Sequence, residues 1–147
     1  MAGATAEVLL PHTISDVGRE ELGNYIRTIA SSVEENSFWV AGQPFIWYDE
    51  PAAGEVADQT VQGWSPRGVI GFCAMCRGLA SETYLAMLVA RVAQKFGGVV
   101  ALGGHIKSFA DDGILLMEGR FENEHEDYVT PEFLYHWISH PKFRMVN

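Results

Sequence analysis

The chain has 147 residues, enough for one domain over residues 1–147 with a sizeable core that needs no disulfide or metal staple. Hydrophobic residues make up 48% and charged residues 20%, which excludes disordered and fibrous classes. Ten Lys and Arg against 19 Asp and Glu leave a net charge of −9, the wrong sign for a nucleic-acid backbone and the right one for a basic partner. No basic stretch precedes an apolar run at the N-terminus, and no segment approaches the roughly 20 apolar residues that span a bilayer. A cytoplasmic protein without membrane attachment is expected.

In chain order, Ala4 to Leu10 reads as a first strand ended by Pro11. Ser15-Asp16 supplies a helix N-cap and an acidic first turn. Leu22, Tyr25, Ile26, Ile29 and Val33 then share one helical face, predicting a helix over about 15–33. Ser37–Val40 and Phe45–Tyr48 are β-branched and aromatic and flank Gly42-Gln43-Pro44, as in a hairpin or an interrupted strand. Asp49 to Gln62 contains Pro51, Gly54 and four acids, and reads as an exposed loop. Val69 to Cys76 lacks polar alternation and predicts a central strand.

Ser81-Glu82 opens a second helix whose stripe runs Leu85, Leu88, Val89, Val92 and Phe96, closed by Gly97-Gly98. Val99–Leu102 and Ile114–Met117 predict strands, with Phe121 in or beside another. Thr130-Pro131-Glu132 starts a third helix with its apolar face at Phe133, Leu134, Trp137 and Ile138, and Pro141 ends it. The tail Phe143 to Val146 is apolar enough to dock. The order predicts an α+β fold of split βαβ type: a mainly antiparallel sheet of four to six strands, two long helices on one face, and a short C-terminal helix.

The familiar chemical motifs lead nowhere. Cys73-x-x-Cys76 falls in an apolar run, where residues three apart on a strand point to opposite faces, so both read as small buried thiols. His136 and His140 have metal-compatible spacing but lack the Glu of His-Glu-x-x-His, and read as surface or cap residues. His12, His105 and His125 form no triad. Gly97 to Gly104 lacks the Gly-Lys-Ser/Thr of a phosphate loop. No catalytic residue, cofactor or metal is expected.

Charge patterning says more. Asp49, Glu50, Glu55 and Asp58 carry no intervening base, and Asp111, Asp112, Glu118, Glu122, Glu124, Glu126 and Asp127 are opposed by Arg120 alone. Together the two segments carry −10, more than the whole chain's −9. Trp47, Tyr48 and Trp64 flank the first segment, and Phe121 and Tyr128 lie in and beside the second. Aromatic anchors among acids suit a protein interface, since aromatics concentrate binding energy and charge speeds encounter. The expected contact residues are therefore Trp47, Tyr48, Asp49, Glu50, Glu55, Asp58 and Trp64 from the first segment. From the second they are Asp111, Asp112, Glu122, Glu124, Glu126, Asp127 and Tyr128.

The chain also resembles a family of small bacterial proteins that includes candidate immunity proteins of polymorphic toxin systems. The likeness rests on Val8-Leu9-Leu10-Pro11, Phe38-Trp39-Val40 and Phe96-Gly97-Gly98-Val99-x-x-Leu102-Gly103-Gly104. It continues in Phe133-Leu134-x-x-Trp137-Ile138-x-His140-Pro141-x-Phe143-Arg144. It implies a non-enzymatic protein that neutralises a cognate toxin domain, and the two acidic segments add the expectation that it does so by covering an electropositive cleft. A small regulatory or ligand-binding α+β module is the alternative, with a pocket between sheet and helices.

Overall fold

A computed structural model describes residues 3–110 and 113–145, with every side chain except that of Glu55. The elements are β1 (Thr5–Leu10), α1 (Asp16–Ile29), β2 (Ser32–Glu34), β3 (Ser37–Val40), β4 (Gln43–Pro51), α2 (Gly54–Asp58) and β5 (Gly68–Ala74). There follow α3 (Leu79–Phe96), β6 (Val99–Ala101), 3-10 turns at Ile106–Ser108 and Gly113–Leu116, β7 (Arg120–Glu122), β8 (Asp127–Val129) and α4 (Pro131–Ile138). The strands make one antiparallel sheet in the order β2-β3-β4-β5-β1-β6-β8-β7. Its eight strands exceed the expected four to six, and four helices rather than three are present among the described residues.

A split βαβ unit lies at the centre. β5 and β6 both run antiparallel to β1, so they are parallel to one another, and α3 joins them with β1 inserted between. The glycine pair makes that crossover possible: Gly97 ends α3 in the left-handed conformation at φ 77° and the chain enters β6 directly.

Local chemistry accounts for the element ends. Ser15 Oγ accepts the Gly18 N–H at 3.0 Å to open α1, and Thr130 Oγ1 accepts the Phe133 N–H to open α4 behind Pro131. α1 stops at Ile29, short of the predicted 33. Ala30 is extended and Ser31 N–H donates to Trp39 O at 2.8 Å, so Val33 belongs to the exposed strand β2. Ala41 and Gly42, at φ 50° and 79°, form the two-residue turn between β3 and β4 that strand twist favours. β4 runs on to Pro51, so Asp49 and Glu50 sit on a strand, not in a loop. The strand expected at Ile114–Met117 is instead a 3-10 turn: Ile114 is buried but Leu116 is 89% exposed, so the run offers a sheet no continuous apolar face.

Two cores sit on opposite faces of the sheet. The larger joins Val8, Leu10, Ile70, Phe72 and Val100 to the inward faces of α1, α3 and α4. The tail completes it: Phe143 and Met145 are buried, and Glu82 accepts from Arg144 Nε and the Met145 N–H, the latter at 2.7 Å. The smaller core gathers Leu9, Val61, Val69, Val99, Ala101 and Tyr128, with Val56, Trp64 and Phe121 packed against it. It exists because the 52–64 segment folds back over the face the long helices leave open.

Candidate functional site

The smaller core brings the two acidic segments together. Val56, Val61 and Trp64 of the first pack with Phe121 and Tyr128 of the second, and a bridge between Val61 and Trp64 closes the loop's tip. Asp58 and Gln59 thereby meet Asn123, Glu124 and His125 around a shallow cleft of about 310 Å³. A larger cleft of about 600 Å³ adjoins β7; Gln62, Met117, Phe121 and Thr130 line it, with Glu118 and Glu132 as its acids and Arg120 as its base. Leu116 and Met117 stand exposed at that end of the molecule.

The turn carrying the second acidic segment is held firmly. Asn123 Oδ1 accepts the N–H groups of His125 and Glu126, both at 2.8 Å, and Asn123 Nδ2 donates to Tyr128 Oη at 2.9 Å. This fixes Glu124 outward. Glu126 turns back across the sheet to accept the Gly103 N–H at 2.8 Å; burial raises its pKa, and the nearby carboxylate of Glu7 raises it further. Tyr48 Oη donates to Glu7 at 2.8 Å, and burial with that bond raises the Tyr48 pKa as well. Burial pushes Tyr128 up to about 12.

Strand alternation then separates residues that the sequence placed together. Trp47 faces the helices and packs on the larger core, whereas Tyr48 crosses the opposite face. Asp49 faces the helices too, and both its oxygens accept from Arg19 Nε at 3.0 Å. Glu50 is exposed.

Asp127 is the clearest correction. It is 0% exposed: Oδ2 accepts the Ile106 N–H at 2.9 Å, and Oδ1 lies 3.2 Å from both Arg120 Nη1 and His105 Nδ1. Glu122 pairs with Lys107, which lowers its pKa, so it is only partly available. Asp127 and Tyr128, both buried, are structural and cannot be contact residues; Trp47 and Trp64 serve mainly as packing. Asp111 and Asp112 lie outside the described residues, as does the Glu55 side chain.

His105, Glu122 and Asp127 present ligand atoms within 4.8 Å of one another. Lys107 and Arg120 already supply the positive charge that a cation would bring there. Both ring nitrogens of His105 are engaged, Nδ1 lying 3.2 Å from Asp127 Oδ1 and Nε2 3.4 Å from the Glu124 carbonyl. The arrangement is an internal ion network. The thiols need correction as well: Cys73 is half-buried and Cys76 lies exposed beyond the strand, both free. His140 lies just past the end of α4, where its Nδ1 accepts the Lys142 N–H at 3.0 Å rather than meeting a helix carbonyl.

A family profile for a family of unknown function, DUF6368, matches residues 2–147. The chain belongs to the DUF6368 family. No curated protein matches it, and no solved structure does. In this DUF6368 chain no helix among the described residues is long and apolar enough to cross a membrane. What the structure assembles is an acid-rich face built from two distant segments. Of the expected contacts, Asp58 and Glu124 share one cleft, and Glu50 lies exposed on β4. The sequence reading missed Glu7, Met117 and Glu132. Glu7 alternates outward on β1, which strand periodicity could have flagged; Met117 was assigned to a strand and Glu132 to a helix start.

Proposed function

We propose that this chain is a non-enzymatic binding protein of immunity type, acting in the cytoplasm, whose acid-rich face covers a basic cleft on a cognate toxin domain. The observation that carries this reading is the convergence of Asp58 with Glu124, 66 positions apart, at a cleft beside a second one bearing Glu118 and Glu132. Carboxylates gathered on one face raise the encounter rate with a basic partner. Exposed Leu116 and Met117 add the apolar contact that charge alone does not provide. The negative field also disfavours nucleic acid as the partner.

Co-expression with the protein encoded by the adjacent reading frame tests this. The wild-type chain should restore growth to cells making that protein. A variant with Asp58→Asn, Glu118→Gln, Glu124→Gln and Glu132→Gln should protect less at equal abundance. Equal protection by both, or protection by neither, would remove the acidic face from the function.

A further inference from the structure

The sheet ends at β7, and the two acidic clefts stand at the two ends of that strand. The Thr130 N–H donates to Gly119 O at 2.8 Å and the Asn123 N–H donates to Glu126 O at 3.0 Å. These bonds fix the phase of the ladder. Gly119, Phe121 and Asn123 bond inward, toward Thr130, Tyr128 and Glu126, so the backbone N–H and C=O groups of Arg120 and Glu122 point outward. Among the described residues no strand and no backbone group meets them. Proteins commonly shield such an edge with proline, a bulge or a projecting lysine. Here the nearest cations are turned away from it, Arg120 onto Asp127 and Lys107 onto Glu122. The cleft with Glu118 and Glu132 borders Gly119 and Phe121, and the one with Asp58 and Glu124 borders Asn123.

We infer that this edge takes an extended, basic segment of a protein partner as a ninth strand. The inference rests on the binding reading above and supplies its contact mode. The incoming backbone would pair with Arg120 and Glu122. Its side chains on the open face would lie beside Phe121, and its basic residues would reach the acids at either end, about 14 Å apart along the strand. A second copy of this chain is the wrong occupant, because Glu118, Glu122 and Glu124 of one chain would meet the same acids of the other.

The test is an NMR titration of the full chain with acetyl-Lys-Lys-Val-Thr-Val-Lys-Lys-amide. The control, acetyl-Lys-Lys-Pro-Pro-Pro-Lys-Lys-amide, has the same charge but no central N–H in any register. The first peptide should give saturable amide shifts centred on Arg120 and Glu122, and should slow exchange of those amides about tenfold when about nine-tenths of the chain is bound. The proline peptide should bind about tenfold or more weakly. In the chain, Glu122→Pro removes an outward N–H without touching the β8 ladder. It should bind the first peptide about tenfold more weakly than Glu122→Gln, which loses the same charge and keeps the N–H. Equal binding of the two peptides, with shifts at Glu118, Glu124 and Glu132 alone, would overturn strand addition and leave the acidic face intact. Shifts centred on β2, or protection of Arg120 and Glu122 that rises with chain concentration in the absence of peptide, would overturn it as well. So would no shift anywhere, and the co-expression assay then decides separately whether the acidic face binds.

Discussion

Replacing Asp127 with Asn separates a structural role from a binding one. The side chain is fully buried and Oδ1 faces the Arg120 guanidinium and the His105 ring, while Oδ2 accepts the Ile106 N–H. Asn keeps one acceptor and turns the other into an NH2 that must face a donor. Each hydrogen bond to a charged group contributes about 1.5–3 kcal/mol, and breaking a buried pair costs about 3–5 kcal/mol. Glu122 lies 3.9 Å from Arg120 and can re-pair with it, which places the expected loss near the lower bound, about 3 kcal/mol. For a chain of this size that corresponds to about 9 °C in Tm. Urea unfolding followed by tryptophan fluorescence reads it directly. A loss below about 1 kcal/mol would refute the idea that Asp127 anchors the β6–β8 region.

Other consequences follow from neighbouring residues. A methyl at Gly71 would overlap the Tyr48 ring lying across it, so Gly71→Ala should cost about 1–3 kcal/mol in denaturant unfolding. Tyr48→Ala in the same chain should recover part of that loss, and strict additivity of the two changes would contradict the packing described. Glu82→Gln should free the tail, with exchange of the Met145 amide accelerating about tenfold or more relative to α3 amides. Because burial raises the Glu126 pKa, its ionised form is disfavoured in the fold: the stability tied to this group is present at low pH and lost as pH rises through the raised value. Glu126→Gln should accordingly match wild type below the unfolded-state value of 4.5 and become relatively more stable at neutral pH. A wild-type advantage that grows with pH would reverse that sign.

The sequence was most legible where the physics is local. Ser15, Thr130-Pro131 and Gly97 marked helix ends because capping needs only the neighbouring backbone. The unalternating run around Ile70 and Phe72 announced a strand covered on both sides, and β5 is central in the sheet. Legibility failed where a partner arrives from far along the chain. Val33 fits the α1 stripe, yet pairing with Phe38 draws it into β2. β8 was invisible because Asp127 reads as solvent-exposed until Arg120, His105 and the Ile106 amide surround it. The grouping of acids was legible as composition, but which remain available depends on Arg19 and Lys107, whose pairing is tertiary. The free edge of β7 left no trace in the chain's linear pattern, because which strand ends the sheet is fixed by the pairing of all the others.

The most direct test is the association rate between this chain and the protein of the adjacent reading frame, measured by stopped flow from about 0.02 to 0.2 M salt. The wild-type rate should fall at least about tenfold across that range. The variant neutral at Asp58, Glu118, Glu124 and Glu132 should start slower and change little with salt. The same rate and the same salt slope for both chains, or no complex at all, would contradict an acid-rich face that captures a basic partner.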